Sequence, residues 1–176
     1  MPHGIKIREV TLSDVDTVAH HRASMFRDMG RTTPGVLEPL KAETREFLRE
    51  AIPRGEYLGW LASPEEEPAR IVAGAGLQTR RVLPFPYHRA DGSVHVAWGA
   101  QAVVINVYTE PEYRRQGYGR RLMKEVLDWA RAVELESLVL HAAPAGRALY
   151  EELGFIDTTE MRFSGDLSAT FPSDAG

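Results

Sequence analysis

The chain contains no cysteine. That absence excludes a disulfide framework and a cysteinyl acyl-enzyme, and it leaves only histidine and carboxylates for any metal site. No apolar run approaches the roughly 20 residues of a membrane span, and the N-terminal MPHGIKIREV lacks the apolar core of a signal peptide. A cytoplasmic protein without a membrane partner is therefore expected. A surplus of positive charge is missing too: the net charge of −4 argues against general nucleic-acid binding, which needs a broad basic face. Internal repeats and domain linkers are also absent. At 176 residues, with 43% hydrophobic and 26% charged residues, the chain suits one globular domain, expected over 1–165 with a flexible tail over 166–176.

What the chain does have is concentrated in VVINVYTEPEYRRQGYGRRLMKEVLDWA, residues 103–130. Val103, Val104, Ile105 and Val107 form a β-branched run of buried-strand type, which the Thr109-Glu110-Pro111-Glu112 segment ends. Further on, Leu122, Met123, Val126, Leu127, Ala130 and Val133 recur at helical spacing and define one apolar face. The Arg/Gly turn between them thus lies at a helix N-terminus. Arg114, Arg115, Arg120 and Arg121 crowd that terminus, where unpaired N–H groups and the macrodipole favour acidic residues. An anion would remove the conflict, because Gly117 and Gly119 carry no Cβ and let backbone N–H groups close around phosphate oxygens. On the turn alone, a solvated basic helix start with two turn glycines stands beside the anion cradle as an equal reading.

Two phosphate motifs fail on these residues. A Walker-type loop needs Gly-Lys-Ser/Thr, but Gly119 is followed by Arg120 and Arg121. The dinucleotide fingerprint needs glycine where Leu122 stands. Arg114-Arg115-Gln116-Gly117-Tyr118-Gly119 does resemble the acetyl-CoA pyrophosphate loop of the GNAT superfamily of N-acetyltransferases, whose pattern is Arg/Gln-x-x-Gly-x-Gly/Ala between a strand and a helix. The preceding NVYTEPEYR and the later GRALYEELGF are similar to that family in the same order.

The remaining segments fit that order. Ile5 and Ile7 alternate with Lys6 and Arg8 as a first strand. Thr11 and Asp14 read as a capping box opening a helix through Met29 that Gly30 stops. His20 and His21 read as solvated or rim residues of that helix. Pro34, Gly35 and Pro39 mark a loop before a second helix over 42–52. Strands are expected over 57–62 and 70–79, with Gly74 and Gly76 pointing to a bulge or close packing. Pro84, Pro86 and Asp91-Gly92 make 80–95 a surface excursion, with an acceptor-site flap, a dimer contact and a plain long loop all open. A long strand over 96–109 follows. Ser137–His141 reads as a strand, Pro144 starts a helix carrying Leu149 and Leu153, Gly154 ends it, and Phe155–Asp157 with Met161–Phe163 read as a closing hairpin.

The resemblance implies an α/β fold: a mixed, mostly antiparallel central sheet of about six to seven strands flanked by about four helices. It implies acetyl transfer from acetyl-CoA to a primary amine of a small molecule or peptide, with a homodimer as one assembly. Residue by residue, it puts the backbone of Val107, Tyr108 and Thr109 against the pantetheine arm. Arg114, Arg115, Gln116, Gly117, Tyr118, Gly119 and Arg120 then surround the pyrophosphate, and Tyr150 faces the thiolate leaving group. It also makes Met25, Phe26, Asp28, Met29 and Glu38 candidate acceptor contacts, against a plain core role for the Met and Phe residues. An amine of pKa about 10.4 must lose a proton before it attacks. The strand position where some relatives carry a glutamate falls on Val103, so Glu110, His141, His95 and Tyr108 stay open as bases. Ala143 stands near where relatives often place Asn or Ser against the cofactor. A catalytically silent acyl-CoA-binding module keeps the same cradle and is the alternative function.

Overall fold

A computed structural model describes residues 4–88, 91–158 and 160. The expected strand at Met161–Phe163 and the expected tail lie outside the described residues. In chain order the elements are β1 (Ile5–Glu9), α1 (Val15–Asp28), α2 (Pro34–Ala51), β2 (Tyr57–Pro64), β3 (Ala73–Arg81), β4 (Phe85–His88), β5 (Val94–Ala97), β6 (Ala100–Thr109), α3 (Tyr118–Ala132), β7 (Ser137–Leu140) and α4 (Arg147–Glu152). A five-stranded sheet runs in the order β1-β2-β3-β6-β7, antiparallel except for the parallel β6–β7 pair. The α/β class and the four helices agree with expectation. The central sheet of the described residues has five strands instead of six or seven, because β4 and β5 pair only with each other in a separate ribbon.

Side-chain alternation along the strands builds the two faces. Val104 belongs to a core cluster with Leu122, Met123 and Val126 of α3, while its neighbour Ile105 packs on Val15, Val18 and Leu48 of α1 and α2. The α3 stripe is buried as the spacing requires, although Val133 is exposed at its C-terminal end. Before α1, the Thr11 N–H donates to Asp14 Oδ2 at 2.8 Å, and Arg8 donates to both Asp14 oxygens at 2.7 and 2.8 Å, so the buried carboxylate is paired.

Three local expectations are corrected, and that of the surface excursion is refined. Residues 34–41 are helical, not loop: Pro34 sits at the first helical position, where its fixed φ is pre-organised and no N–H is needed, and Pro39 lies within the helix. The excursion is the β4–β5 ribbon, since Pro86 is tolerated in a strand with only one neighbour. The long strand over 96–109 is broken at Trp98-Gly99, where Gly99 takes φ +88. Phe155–Asp157 is not a strand among the described residues.

Candidate functional site

The expected bulge is present, and its extra residue lies on β6. Gly74 pairs with Tyr108 and Gly76 with Ile105, so Ala75 alone faces both Asn106 and Val107. Asn106 absorbs the extra residue with φ +55, a left-handed conformation that asparagine tolerates far better than the β-branched residues around it. Its buried side chain is held: Arg22 Nη1 donates to Asn106 Oδ1 at 2.7 Å, and the Tyr57 hydroxyl also bonds to it. Burial pushes the Tyr57 phenol up to about 12. Sequence reasoning missed Asn106. The signal was one Asn inside a β-branched run.

The parallel β6–β7 pairing runs only from Gln101–Ser137 to Val104–Leu140. Beyond the bulge, Val107, Tyr108 and Thr109 therefore have no β7 partner among the described residues. Those are the residues the resemblance sets against a pantetheine arm. Two of them are partly committed: Tyr108 pairs with Gly74, and the Thr109 carbonyl accepts from Arg114 Nε at 2.9 Å. The Tyr108 ring turns toward α1, lying 5.2 Å from the His21 ring, and its hydroxyl donates to Glu110 Oε2 at 3.2 Å. Burial, then the Glu110 carboxylate, raises the Tyr108 phenol above its usual range.

After a short turn over Pro111–Tyr113, Arg115 and Gly117 both adopt left-handed backbone, at φ +63 and +92. Alternating conformations of this kind turn successive N–H groups inward into an anion-binding nest. The first backbone bond of α3 is Arg121 N–H to the Gly117 carbonyl, and the N–H groups of residues 115–120 have no acceptor among the described residues. Nothing approaches within 4 Å of a Cβ built on Gly117, and one built on Gly119 would meet only Leu149 Cδ2 at 3.4 Å. The turn is open. The Tyr118 side chain faces the other way, buried and packed edge-on against Tyr113, so this residue offers the turn only its N–H.

Two of the four arginines are compensated locally. Arg114 pairs with Asp28 of α1, and Arg120 pairs with Glu152 of α4. Arg115 and Arg121 have no carboxylate partner among the described residues. Gln116 bonds the Glu112 carbonyl at 2.8 Å and closes the turn from behind. Tyr150, on α4, packs edge-on against Phe155 at 6.0 Å and, like Val107, lies against the core cluster of Val104, Leu122 and Met123. Its hydroxyl makes no hydrogen bond to a described residue, and burial raises its pKa, keeping it a protonated donor near neutrality.

The candidate bases separate. Glu110, directly after β6, lies 3.2 Å from His20 Nε2 and 4.0 Å from His21 Nε2. His141, directly after β7, lies 2.7 Å from Glu160. Each strand end beside the gap thus carries an imidazole–carboxylate pair. His95 belongs to the β4–β5 ribbon, where it meets the Ser93 hydroxyl at 3.0 Å and lines a groove of about 740 Å³ that shares no residue with the turn. His21 corrects the expectation of a rim residue: it is 2% exposed, and burial pulls its pKa from 6.5 to about 4. Among the acceptor candidates, Met25, Phe26 and Met29 are half-buried and outside the buried core, Asp28 is spent on Arg114, and Glu38 pairs with Lys41.

Comparison with known proteins agrees with this geometry. Residues 23–155 match the family model for the acetyltransferase (GNAT) family. The curated relatives include the [ribosomal protein bS18]-alanine N-acetyltransferases of Escherichia coli K12 and Shigella flexneri, each 38% identical over 65 residues, 35% of this chain and 44% of the relative. The chain therefore matches less than half the length of these relatives. Among solved structures, a GCN5-related N-acetyltransferase from Ralstonia eutropha JMP134 superimposes with a TM-score of 0.78 at 28% identity, covering 91% of this chain and 97% of that one. A predicted acetyltransferase with acetyl-CoA from Clostridium acetobutylicum gives 0.72 at 20% identity, covering 92% and 96%, and that likeness concerns the fold alone. The match over residues 23–155, joined to the bulged strand and the open glycine turn, identifies this chain as a member of the GNAT family of acetyltransferases.

Proposed function

We propose that the protein transfers an acetyl group from acetyl-CoA directly to a primary amine of a small molecule or peptide. The observation that carries this reading is the run of unpartnered N–H groups over residues 115–120, in an open turn beside the strand segment that β7 leaves unpaired. Such a turn fits a diphosphate, with Arg115 and Arg121 as nearby uncommitted cations. Acetyl-CoA held there supplies the activated acetyl thioester.

The chain's own groups do the rest. Asn106 fixes the start of the Val107–Thr109 segment, whose main chain lies along the pantetheine arm, and an N–H aimed at the developing oxyanion is worth roughly 3 kcal/mol. The acceptor amine gives its proton to one of the two imidazole–carboxylate pairs, His20–Glu110 or His141–Glu160, directly or through water. Tyr150 donates its O–H to the departing thiolate. Because a thiol of pKa about 8.5 leaves readily near neutrality, that donation is an assistance and not a full proton transfer.

The test follows free CoA thiol while amino acids, polyamines, aminoglycosides and peptides, including one that begins with alanine, are offered with acetyl-CoA. Release with at least one acceptor is expected. Substituting Tyr150→Phe should lower kcat by about ten-fold or more while leaving the affinity for CoA nearly unchanged. Calorimetry that detected no uptake of CoA would overturn the reading, and uptake without any thiol release would leave a binding module.

A further inference from the structure

Arg22 lies on α1 against the bulge, and its charge has no carboxylate partner among the described residues. Other arginines that reach α1 or its N-cap do have one: Arg8 pairs with Asp14, Arg45 with Asp16 and Arg114 with Asp28. Arg22 instead gives one N–H to the neutral Asn106 Oδ1 and lays its guanidinium 5.0 Å over the Phe26 ring. A half-buried cation held only by an amide oxygen and a ring face bears a desolvation cost that no full counter-charge offsets. Burial accordingly pulls its pKa down, opposed only by Tyr57.

The unused nitrogens of Arg22 are not sealed in. No buried side-chain nitrogen or oxygen among the described residues lacks a hydrogen-bond partner, so the nitrogens left unpaired on this half-buried guanidinium keep contact with solvent. Its Nη1 is fixed on Asn106, the residue directly before the strand segment assigned to the thioester. The planar fork of a guanidinium matches a carboxylate through two parallel N–H bonds, which an ammonium cannot reproduce.

Resting on the acetyl-transfer reading above, we propose that Arg22 binds a carboxylate of the acceptor, so that the preferred acceptors are small amines carrying a carboxylate a short spacer from the nitrogen. Cationic polyamines and the N-termini of long peptides are then poor acceptors. Asn106 plays a positioning part, since one hydrogen bond ties the anion-binding group to the strand that carries the chemistry.

The experiment needs no variant at first. With the wild-type protein and saturating acetyl-CoA, thiol release is compared for alanine, alaninamide, ethylamine, phosphoethanolamine, spermidine and an alanine-initiated peptide. Alanine should exceed alaninamide and ethylamine in kcat/KM by at least about ten-fold, the scale of charged hydrogen bonds. Arg22→Lys and Arg22→Gln should erase that preference through KM for the acceptor while the KM for acetyl-CoA stays within about two-fold. Equal or better use of the amide, the simple amine, spermidine or the peptide overturns this proposal and leaves acetyl transfer standing. Preference for phosphoethanolamine over alanine overturns the carboxylate assignment, and so does a preference that survives in Arg22→Gln. Silence with every acceptor overturns the transfer reading together with this one.

Discussion

His21 gives the sharpest quantitative expectation, because its imidazole is buried between α1 and β6 with its ring 5.2 Å from that of Tyr108. Its pKa falls to about 4 from 6.5, chiefly by desolvation, with Glu110 opposing and His20 assisting. A base whose folded pKa lies below its unfolded value binds fewer protons when folded, so stability rises with pH across the window between the two values. Full stability is present above about pH 6.5 and is lost progressively toward pH 4. With those two values, the loss between pH 7 and pH 5 is about 2 kcal/mol, and the limiting loss below pH 4 is about 3 kcal/mol at 1.36 kcal/mol per pH unit. Urea unfolding of the wild type and of His21→Gln at pH 7, 6 and 5 isolates this contribution, since carboxylates that titrate in both proteins cancel in the difference. The absolute stability of the His21→Gln protein is immaterial; only the slope counts. A stability difference that stayed flat within about 0.5 kcal/mol across this range would refute the burial argument.

Three other substitutions probe different parts of the molecule. The Cβ of Gly117→Ala meets no atom within 4 Å, so any effect comes from the φ of +92: calorimetry should show weaker CoA binding, with about 1–2 kcal/mol of strain lost from stability. Asn106→Val places a β-branched residue in the left-handed conformation of the bulge; turnover should fall by an order of magnitude or more, and unchanged kinetics would count against the bulge as a site element. Leu122→Ala removes a fully buried side chain from the cluster that seats α3 on the sheet and should cost about 2–5 kcal/mol in chemical unfolding.

The sequence made some features legible because they rest on local rules. The α3 stripe, the β-branched run from Val103 to Val107 before it and the glycine turn between them follow from periodicity and from proline and glycine placement, and they stand where those rules put them. Features that depend on which strands become neighbours were not legible. Proline at 34 and 39 marks a loop only if its first-turn role is ignored, and β4–β5 forms a ribbon because its proline faces no second strand. His21 stands three residues after Val18 and four before Met25, at the flank of the α1 stripe, so spacing sets it apart from the exposed His20, but which strand covers that flank was not legible. Gly74 is legible only afterwards: a Cβ there would come within 3.0 Å of His21 Nδ1 and of Leu61 Cδ2, so its small size makes room for the buried ring.

The arginines at the start of α3 show why charge counting on a sequence overstates a conflict and still points to the right place. Four guanidiniums next to a helix N-terminus violate the dipole rule, but Asp28 and Glu152, distant in sequence, remove two of them from the account. These pairs also have a mechanical result. Arg114 joins the turn to α1 and to the Thr109 carbonyl, while Arg120 joins it to α4, so the turn is tied to three separate elements. A nest of N–H groups binds an anion well only if its geometry is fixed before the anion arrives, because ordering a loose turn would consume much of the binding energy. Arg114 and Arg120 thus help to position the turn, while Arg115 and Arg121, which have no carboxylate partner among the described residues, leave the proposed diphosphate two positive charges.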